Sequence, residues 1–175
     1  MAKQNVLLIL GAGGHGKSVA EAASLSGQWS KIIFADDSWP QKTEVAGFPI
    51  VANIEMVSAL ISTVTAAIPA IGNNQVRKDW AQRLKNLGIP LATVIHPSAI
   101  ISPTTKLGEG ICIMAGCVIG VDVRIEDGVI VNLASAIDHD SEIGMFSHLS
   151  VGVKITGNKI VKPFTFLEAG SILAH

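Results

Sequence analysis

Fourteen aliphatic residues spaced six apart decide what the second half of this chain can become. Counting from Ile95, they are Ile95, Ile101, Leu107, Ile113, Ile119, Ile125, Val131, Ile137, Ile143, Leu149, Ile155, Val161, Leu167 and Leu173. Neither a helix (period 3.6) nor a flat strand (period 2) produces a spacing of six. A coil with flat sides does, if a short strand and a tight turn repeat every six residues. Three sides then close a triangle of 18 residues, with the aliphatics stacked down its axis. Two places before each aliphatic the residue is usually small or β-branched, as at Ala99, Cys117, Ser135, Ser141 and Ser147. Glycine follows the aliphatic at 108, 120 and 144. A unit this small cannot bury its own apolar face and must stack on its neighbours, so the stretch from 95 to 173 supplies between four and five stacked coils.

The first half has a different grammar. V6-L-L-I-L10 is a continuous apolar run of the kind a parallel strand covered on both faces requires. Glycines at 11, 13, 14 and 16 follow it, and then a helix beginning near Lys17, with Val19, Ala22, Ala23 and Leu25 as its inner face. A second strand over 31–35 ends at Asp36 and Asp37; 38–47 reads as a loop, 54–61 as a short helix, and 66–71 as a third strand ending at Gly72. A helix from Gln75 to Leu87 stops at Gly88, close to Pro90. Strand, glycine turn, helix and strand in that order predict a Rossmann-like α/β unit over 1–90, ahead of a β-helix over 91–175.

No apolar run reaches the roughly 20 residues that span a bilayer, and the start of the chain reads as a buried strand rather than a signal peptide. The formal charge of −1, without a basic cluster, argues against a nucleic-acid partner. Cys112 and Cys117 lie in apolar hexads and read as reduced core residues. A cytoplasmic protein is expected.

Two places can carry chemistry. The glycine turn between strand and helix can cradle a phosphate on free backbone N–H groups. Asp36 or Asp37 at the next strand end can accept from a ribose hydroxyl or a base N–H, and Gly72 faces the same crevice. This pattern does not separate a dinucleotide from a nucleotide-sugar. The second place is N132-L-A-S-A-I-D-H-D-S-E-I-G-M-F-S-H148. His139 falls two places after its aliphatic, so it projects from a corner, where Asp140 can hold the imidazole in one tautomer. Asn132 lies on the preceding side of the coil and His148 half a coil further on, so a partner subunit is expected to complete the site. A histidine with an ordinary pKa near 6.5 accepts a proton as an amine or hydroxyl attacks an acyl group. No nucleophilic serine or cysteine adjoins it, which favours direct transfer. The spacing matches no zinc signature, and no metal is expected.

The hexads resemble those of the hexapeptide-repeat acyltransferases, which implies a left-handed parallel β-helix. G11-A-G-G-H-G-K17, A-D-D37, I-G-N-N-Q-V-R77, V-I-H-P-S-A99 and N132-x6-H139-D140-x7-H148 occur together and in order. So assembled, the chain resembles the nucleotide-sugar N-acetyltransferases of the bacillosamine type and their sialic acid O-acetyltransferase relatives. The resemblance implies acetylation, from acetyl-CoA, of the 4-amino group of a UDP-4-amino-4,6-dideoxy-N-acetylhexosamine for bacterial glycans, by a homotrimer. It implies His139 as general base and Asp140 as its activator. Gly13, Gly14, His15, Asp36, Asp37 and Gly72 become nucleotide-sugar contacts, with Asn132 near the acceptor end and His148 at acetyl-CoA. Sugar O-acetylation is the alternative within the class. Family chains run about two coils beyond the position of His175, and Lys162 and Glu168 stand where glycine is frequent. Both departures imply altered turns and an incomplete coenzyme groove, so a binding remnant is the alternative from another class.

Overall fold

The structure, a computed structural model, describes residues 5–174. Met1–Gln4, on which the expectation about the start of the chain partly rests, and His175, where the coils are expected to break off, lie outside the described residues.

The N-terminal unit is a five-stranded sheet. β1 (Val6–Leu10) is central and pairs in parallel with β2 (Lys31–Ala35) on one side and β5 (Ala66–Pro69) on the other. β4 (Phe48–Ala52) extends the sheet beyond β2, and β3 (Glu44–Val45) pairs antiparallel at its edge. The region expected to be a loop over 38–47 therefore ends in a hairpin, closed by Ala46 and Gly47 at positive φ. Its strands are short and interrupted by Pro49, which hides them from a periodicity search. The five residues of β1 are all buried, alternating between two apolar layers as a doubly covered strand must.

α1 (Gly14–Leu25) starts three residues earlier than expected, because Gly14, His15 and Gly16 already take helical geometry. Val19, Ala20, Ala22 and Ala23 are buried, whereas Leu25, expected inside, is 59% exposed. Gly16 lies directly on the Gly11 carbonyl, where a Cβ would collide, and this sets how closely α1 sits over the strand end. α2 (Asn74–Asn86) and a 3₁₀ turn (Ile54–Leu60) cover the opposite face with Leu84, Ile54 and Val57. Asn73 caps α2 by accepting the Val76 N–H at 3.0 Å.

From Val94 the chain coils. Strands β6 (Val94–Ile95) to β19 (Ile172–Leu173) are all two residues long and recur every six, and each of the fourteen aliphatics is the second residue of its strand. Every pairing is parallel with an offset of 18 residues, as in Val118↔Ala136 and Ile130↔His148, which makes three flat sheets. Ile113, Ile119, Ile125, Val131, Ile143 and Leu149 stack as the axial core. Ser135, Ser141 and Ser147, the small residues two places earlier, are fully buried, and each donates its hydroxyl to a carbonyl of the next coil at 2.9–3.2 Å. Every third residue after an aliphatic turns the corner at positive φ, from Gly110 to Gly170 in steps of six. The stretch around Lys162 and Glu168 keeps this geometry, with Thr165 N–H bonding to Lys162 O and Ser171 N–H to Glu168 O, so the altered turns expected there are not found.

The three sheets meet different surroundings. α1 packs over one face through Val94, Cys112 and Ile130, which join the core of the N-terminal unit. A second face presents Ile100, Val118, Ala136, Lys154 and Ile172, mostly apolar and largely open. The third presents Lys106, Arg124, Glu142 and Ile160. Arg77 of α2 ties the two halves together. Though 1% exposed, its guanidinium reaches Gly128 O (2.7 Å) and Phe146 O (2.7 Å) on the coils, and Ile71 O (3.0 Å) and Asn74 Oδ1 (2.9 Å) on its own side. Burial lowers its pKa to about 10, so it remains charged near neutrality.

Candidate active site

Strand order places the crevice where β1 has neighbours leading in opposite directions, the switch point at which open α/β sheets bind ligands. A cavity of about 340 Å³ opens there, lined by Gly11, Gly13, Gly14, His15, Asp36, Gly72 and Trp80 among others. Gly13 and Gly14 have nothing within 4 Å of where a Cβ would stand, so their backbone is open to a ligand. Asp36 accepts the Ala12 N–H at 2.7 Å and the Ser38 N–H at 2.9 Å. Burial opposes its ionisation, but these bonds outweigh it and hold the carboxyl below its ordinary range. Asp37 is turned away, accepts the Ile54 N–H at 3.2 Å, and does not line the cavity.

His15 and His148 meet at the inner wall of this crevice, with ring centroids 6.3 Å apart. Burial, then the charges of His148 and Arg77, lowers the His15 pKa to about 4, so the ring is neutral. His148 packs edge-on to Phe166 at 5.0 Å, with Nδ1 3.4 Å from Gly72 O. Neither Nε2 has a partner. His148 thus projects from the covered face of the coil rather than from a corner.

His139 occupies a different edge. It stands at the turn between the open apolar face and the charged face, the vertex opposite the face that α1 covers. Nδ1 lies 2.8 Å from Asp140 Oδ2, and the Asp140 bond, then the Asp138 charge, raises the His139 pKa. Asp140 is the left-handed corner residue (φ 56°), a conformation Asp tolerates, and there its carboxylate folds back to the ring. The imidazole lies over Gly157, its equivalent one coil later; a Cβ there would be 2.5 Å from Nε2. Beside it the open face forms a groove of about 300 Å³ lined by Val118, Gly120, Ala136, Asp138, Lys154 and Thr156. Asn132 sits at the other vertex of this face, its Oδ1 held by the Leu133 N–H at 2.8 Å. Within one chain the structure therefore joins His139 to Asp140, and His148 to His15 and Gly72, but does not gather Asn132, His139 and His148 around one point.

Asp138 and Gly157 were not evident as site residues in the sequence. An 18-residue offset from His139 finds Gly157 directly. Among the described residues no three His, Cys, Asp or Glu side chains converge as metal ligands. No helix among them is long and apolar enough to cross a membrane.

The triangular β-helix, with a vertex histidine oriented by a carboxylate beside an open groove, has the fold expected of the hexapeptide-repeat class. Comparison with known proteins narrows the class. The PglD N-terminal domain family matches residues 6–84. The acetyltransferase domain of PglB from Neisseria gonorrhoeae, in complex with acetyl coenzyme A, superposes with a TM-score of 0.86 at 30% identity, over 98% of this chain and 93% of that one. PerB from Caulobacter crescentus, in complex with CoA and GDP-perosamine, superposes at 0.78 and 28% identity, covering 98% and 89%. The UDP-N-acetylbacillosamine N-acetyltransferase of Bacillus subtilis (strain 168) is 37% identical over 111 residues, 61% of this chain. The chain spans half the length of that curated relative. It belongs to the family of these acetyltransferases, with a PglD-type N-terminal domain joined to a left-handed β-helix.

Proposed function

We propose that this protein transfers the acetyl group of acetyl-CoA to the 4-amino group of a UDP-linked 4-amino-4,6-dideoxy-N-acetylhexosamine. The observation that carries the reading is the bond from His139 Nδ1 to Asp140 (2.8 Å), which leaves Nε2 free at the edge of the open groove. With the ring proton on Nδ1, Nε2 presents its lone pair to the acceptor. As the amine nitrogen bonds to the acyl carbon and the carbon–sulfur bond breaks, Nε2 takes the amine proton. It then delivers that proton to the departing thiolate. Asp140 steadies the imidazolium that exists in between. The apolar groove suits the pantetheine arm. The crevice of Gly13, Gly14, His15, Asp36 and Gly72 suits the nucleotide diphosphate, since open backbone N–H groups at the start of α1 favour an anion. The UDP form follows the Bacillus subtilis relative, which is named for a UDP-linked sugar.

Nucleotide and base stand on opposite sides of one coil, so the reading requires a second chain. The open face is well suited to receive one: Ile100 is 67% exposed and Ile172 66%, flanked by exposed Leu133 and Val151. In a cytoplasmic homotrimer, each nucleotide crevice would be brought to a neighbour's His139. His148 and Asn132, separated from His139 in one chain, would act across that junction, His148 toward acetyl-CoA and Asn132 toward the sugar. Thiol release from acetyl-CoA with the UDP-amino-sugar, compared with His139→Ala, tests the assignment. Rapid release lost in the variant supports it; undiminished release in the variant refutes the base.

A further inference from the structure

We propose that Asp138 makes this site select an amino acceptor over a hydroxyl one, by accepting one hydrogen of the acceptor nitrogen while His139 Nε2 accepts the other. The inference rests on the acetyl-transfer reading above.

The Asp138 carboxylate is anchored at one end, where Oδ1 accepts the backbone N–H of His139 at 2.8 Å. Oδ2 then stands 3.8 Å from His139 Nε2. That separation is too long for a direct hydrogen bond between the two. The ring cannot turn its other nitrogen toward Asp138, because Nδ1 is engaged by Asp140. Gly157 beneath the imidazole and Gly120 beneath the 138–139 backbone fix the height of both groups above the coil. The result is two acceptors side by side, one a carboxylate oxygen and one an imidazole lone pair, at the border of the open groove.

A single donor atom placed about 2.9 Å from each can satisfy both, provided that it carries two hydrogens. A neutral amine carries two, and after donating both it still has its lone pair to direct at the acyl carbon. A hydroxyl carries one. If that hydrogen goes to Nε2, an oxygen lone pair faces the Asp138 carboxylate, and the contact is repulsive. The same carboxylate attracts the acceptor in the ammonium form in which it arrives from neutral solution. One proton then leaves to solvent, and the remaining two hydrogens take up the two acceptors. The nitrogen–carbon bond forms, the carbon–sulfur bond breaks, and the hydrogen on Nε2 passes to the coenzyme A sulfur. The hydrogen facing Asp138 stays on the amide. The products are the acetamido sugar, the thiol and one proton, and Asp138 takes no proton from the acceptor.

The test compares acceptors on the full chain: the UDP-4-amino-4,6-dideoxy-N-acetylhexosamine as substrate, and its 4-hydroxy counterpart as competitive inhibitor. In Asp138→Asn the side-chain oxygen can still take the His139 N–H, but an NH₂ group replaces the free oxygen. The expected result is a fall of about tenfold or more in kcat/KM for the amino sugar. The inhibition constant of the hydroxy compound stays the same or improves. Asp138→Ala gives the same discrimination without the amide, and undiminished UDP binding by both variants reports an intact fold. Equal losses for the two compounds, or no loss for either, overturn the role of Asp138 while leaving the acetyl-transfer reading standing. Failure of the unsubstituted protein to acetylate the amino sugar overturns that reading, and the Asp138 assignment with it.

Discussion

Replacing Arg77 by methionine removes a fully buried side chain that bonds to both halves of the molecule, and its cost can be worked from the contacts. Arg77 donates to Gly128 O, Ile71 O, Gly72 O, Asn74 Oδ1, Phe146 O and Ser147 O. Ser147 O keeps a second partner, the Ile130 N–H at 3.0 Å, whereas Gly128 O and Phe146 O lose the guanidinium donors that serve them at 2.7 Å. Each buried carbonyl left without a donor costs about 1–3 kcal/mol. Against this, methionine fills part of the volume and relieves the desolvation of a cation that has no carboxylate beside it. The balance is a loss of about 3 kcal/mol, which for a chain of this size lowers the melting temperature by roughly 6–12 °C. Arg77→Lys recovers little, because three donors on a flexible stem cannot reproduce a fork that reaches two coils and the Asn74 side chain at the start of α2 together. Calorimetry or thermal circular dichroism of the three proteins decides the matter. A methionine variant melting within about 2 °C of the parent would show that those carbonyls find other partners and that the reasoning fails.

Gly157→Ala places a methyl group 2.5 Å from His139 Nε2, and kcat/KM should fall about tenfold or more while the melting temperature hardly moves; an unaltered kcat/KM would mean that the ring need not lie there. Because Asp140 raises the His139 pKa, the proposed base is protonated, and idle, up to a higher pH than a free imidazole of pKa 6.5. The acid limb of the kcat/KM profile should therefore lie above 6.5 and move down in Asp140→Asn, and a stationary limb contradicts the pairing. His15 behaves oppositely: with its pKa lowered from 6.5 to about 4, the unfolded chain binds the proton first, so stability is lost as pH falls through that window. The full contribution is about 3 kcal/mol, and urea midpoints at pH 7 and 4.5 should converge in His15→Gln relative to the parent.

The β-helix was legible because its axial core repeats without interruption, and each aliphatic in the count of six ends a strand. What the count of six hides is the count of 18. Val94, Cys112 and Ile130 lie 18 apart, are all buried, and mark the face that α1 covers. Reading every third hexad would have found that face. The same count places His148 on that face, apart from His139, in keeping with the expectation that one coil does not gather the two. The sheet strands with continuous apolar runs were equally clear, whereas the hairpin over 44–52 carries too little pattern to detect. Leu25 shares the helical spacing of the buried face yet stays exposed, because spacing alone does not say where the partner surface ends. Nothing in Q75-V-R-K-D79 distinguishes Arg77 from its exposed neighbours Lys78 and Asp79; only the tertiary arrangement turns it inward. The contact between Asp140 and His139 is local in the chain, so adjacent corner residues can make it whatever the remainder of the fold does.

The uniform 18-residue pairing also governs how such a chain can change length. Deleting a single residue after Ile119 would shift every later aliphatic off the axis and send the outward side chains into it. Deleting or duplicating a whole turn of the triangle leaves each surviving residue on its own face and simply changes how many layers are stacked. The coil is thus a ruler with one graduation: variation in length is tolerated in whole layers and penalised in fractions of them. A layer inserted beyond Gly157 would leave the His139 vertex and its groove in place, while one inserted between Ile113 and His139 would carry that vertex one layer further from the crevice beside Gly13 and Gly14.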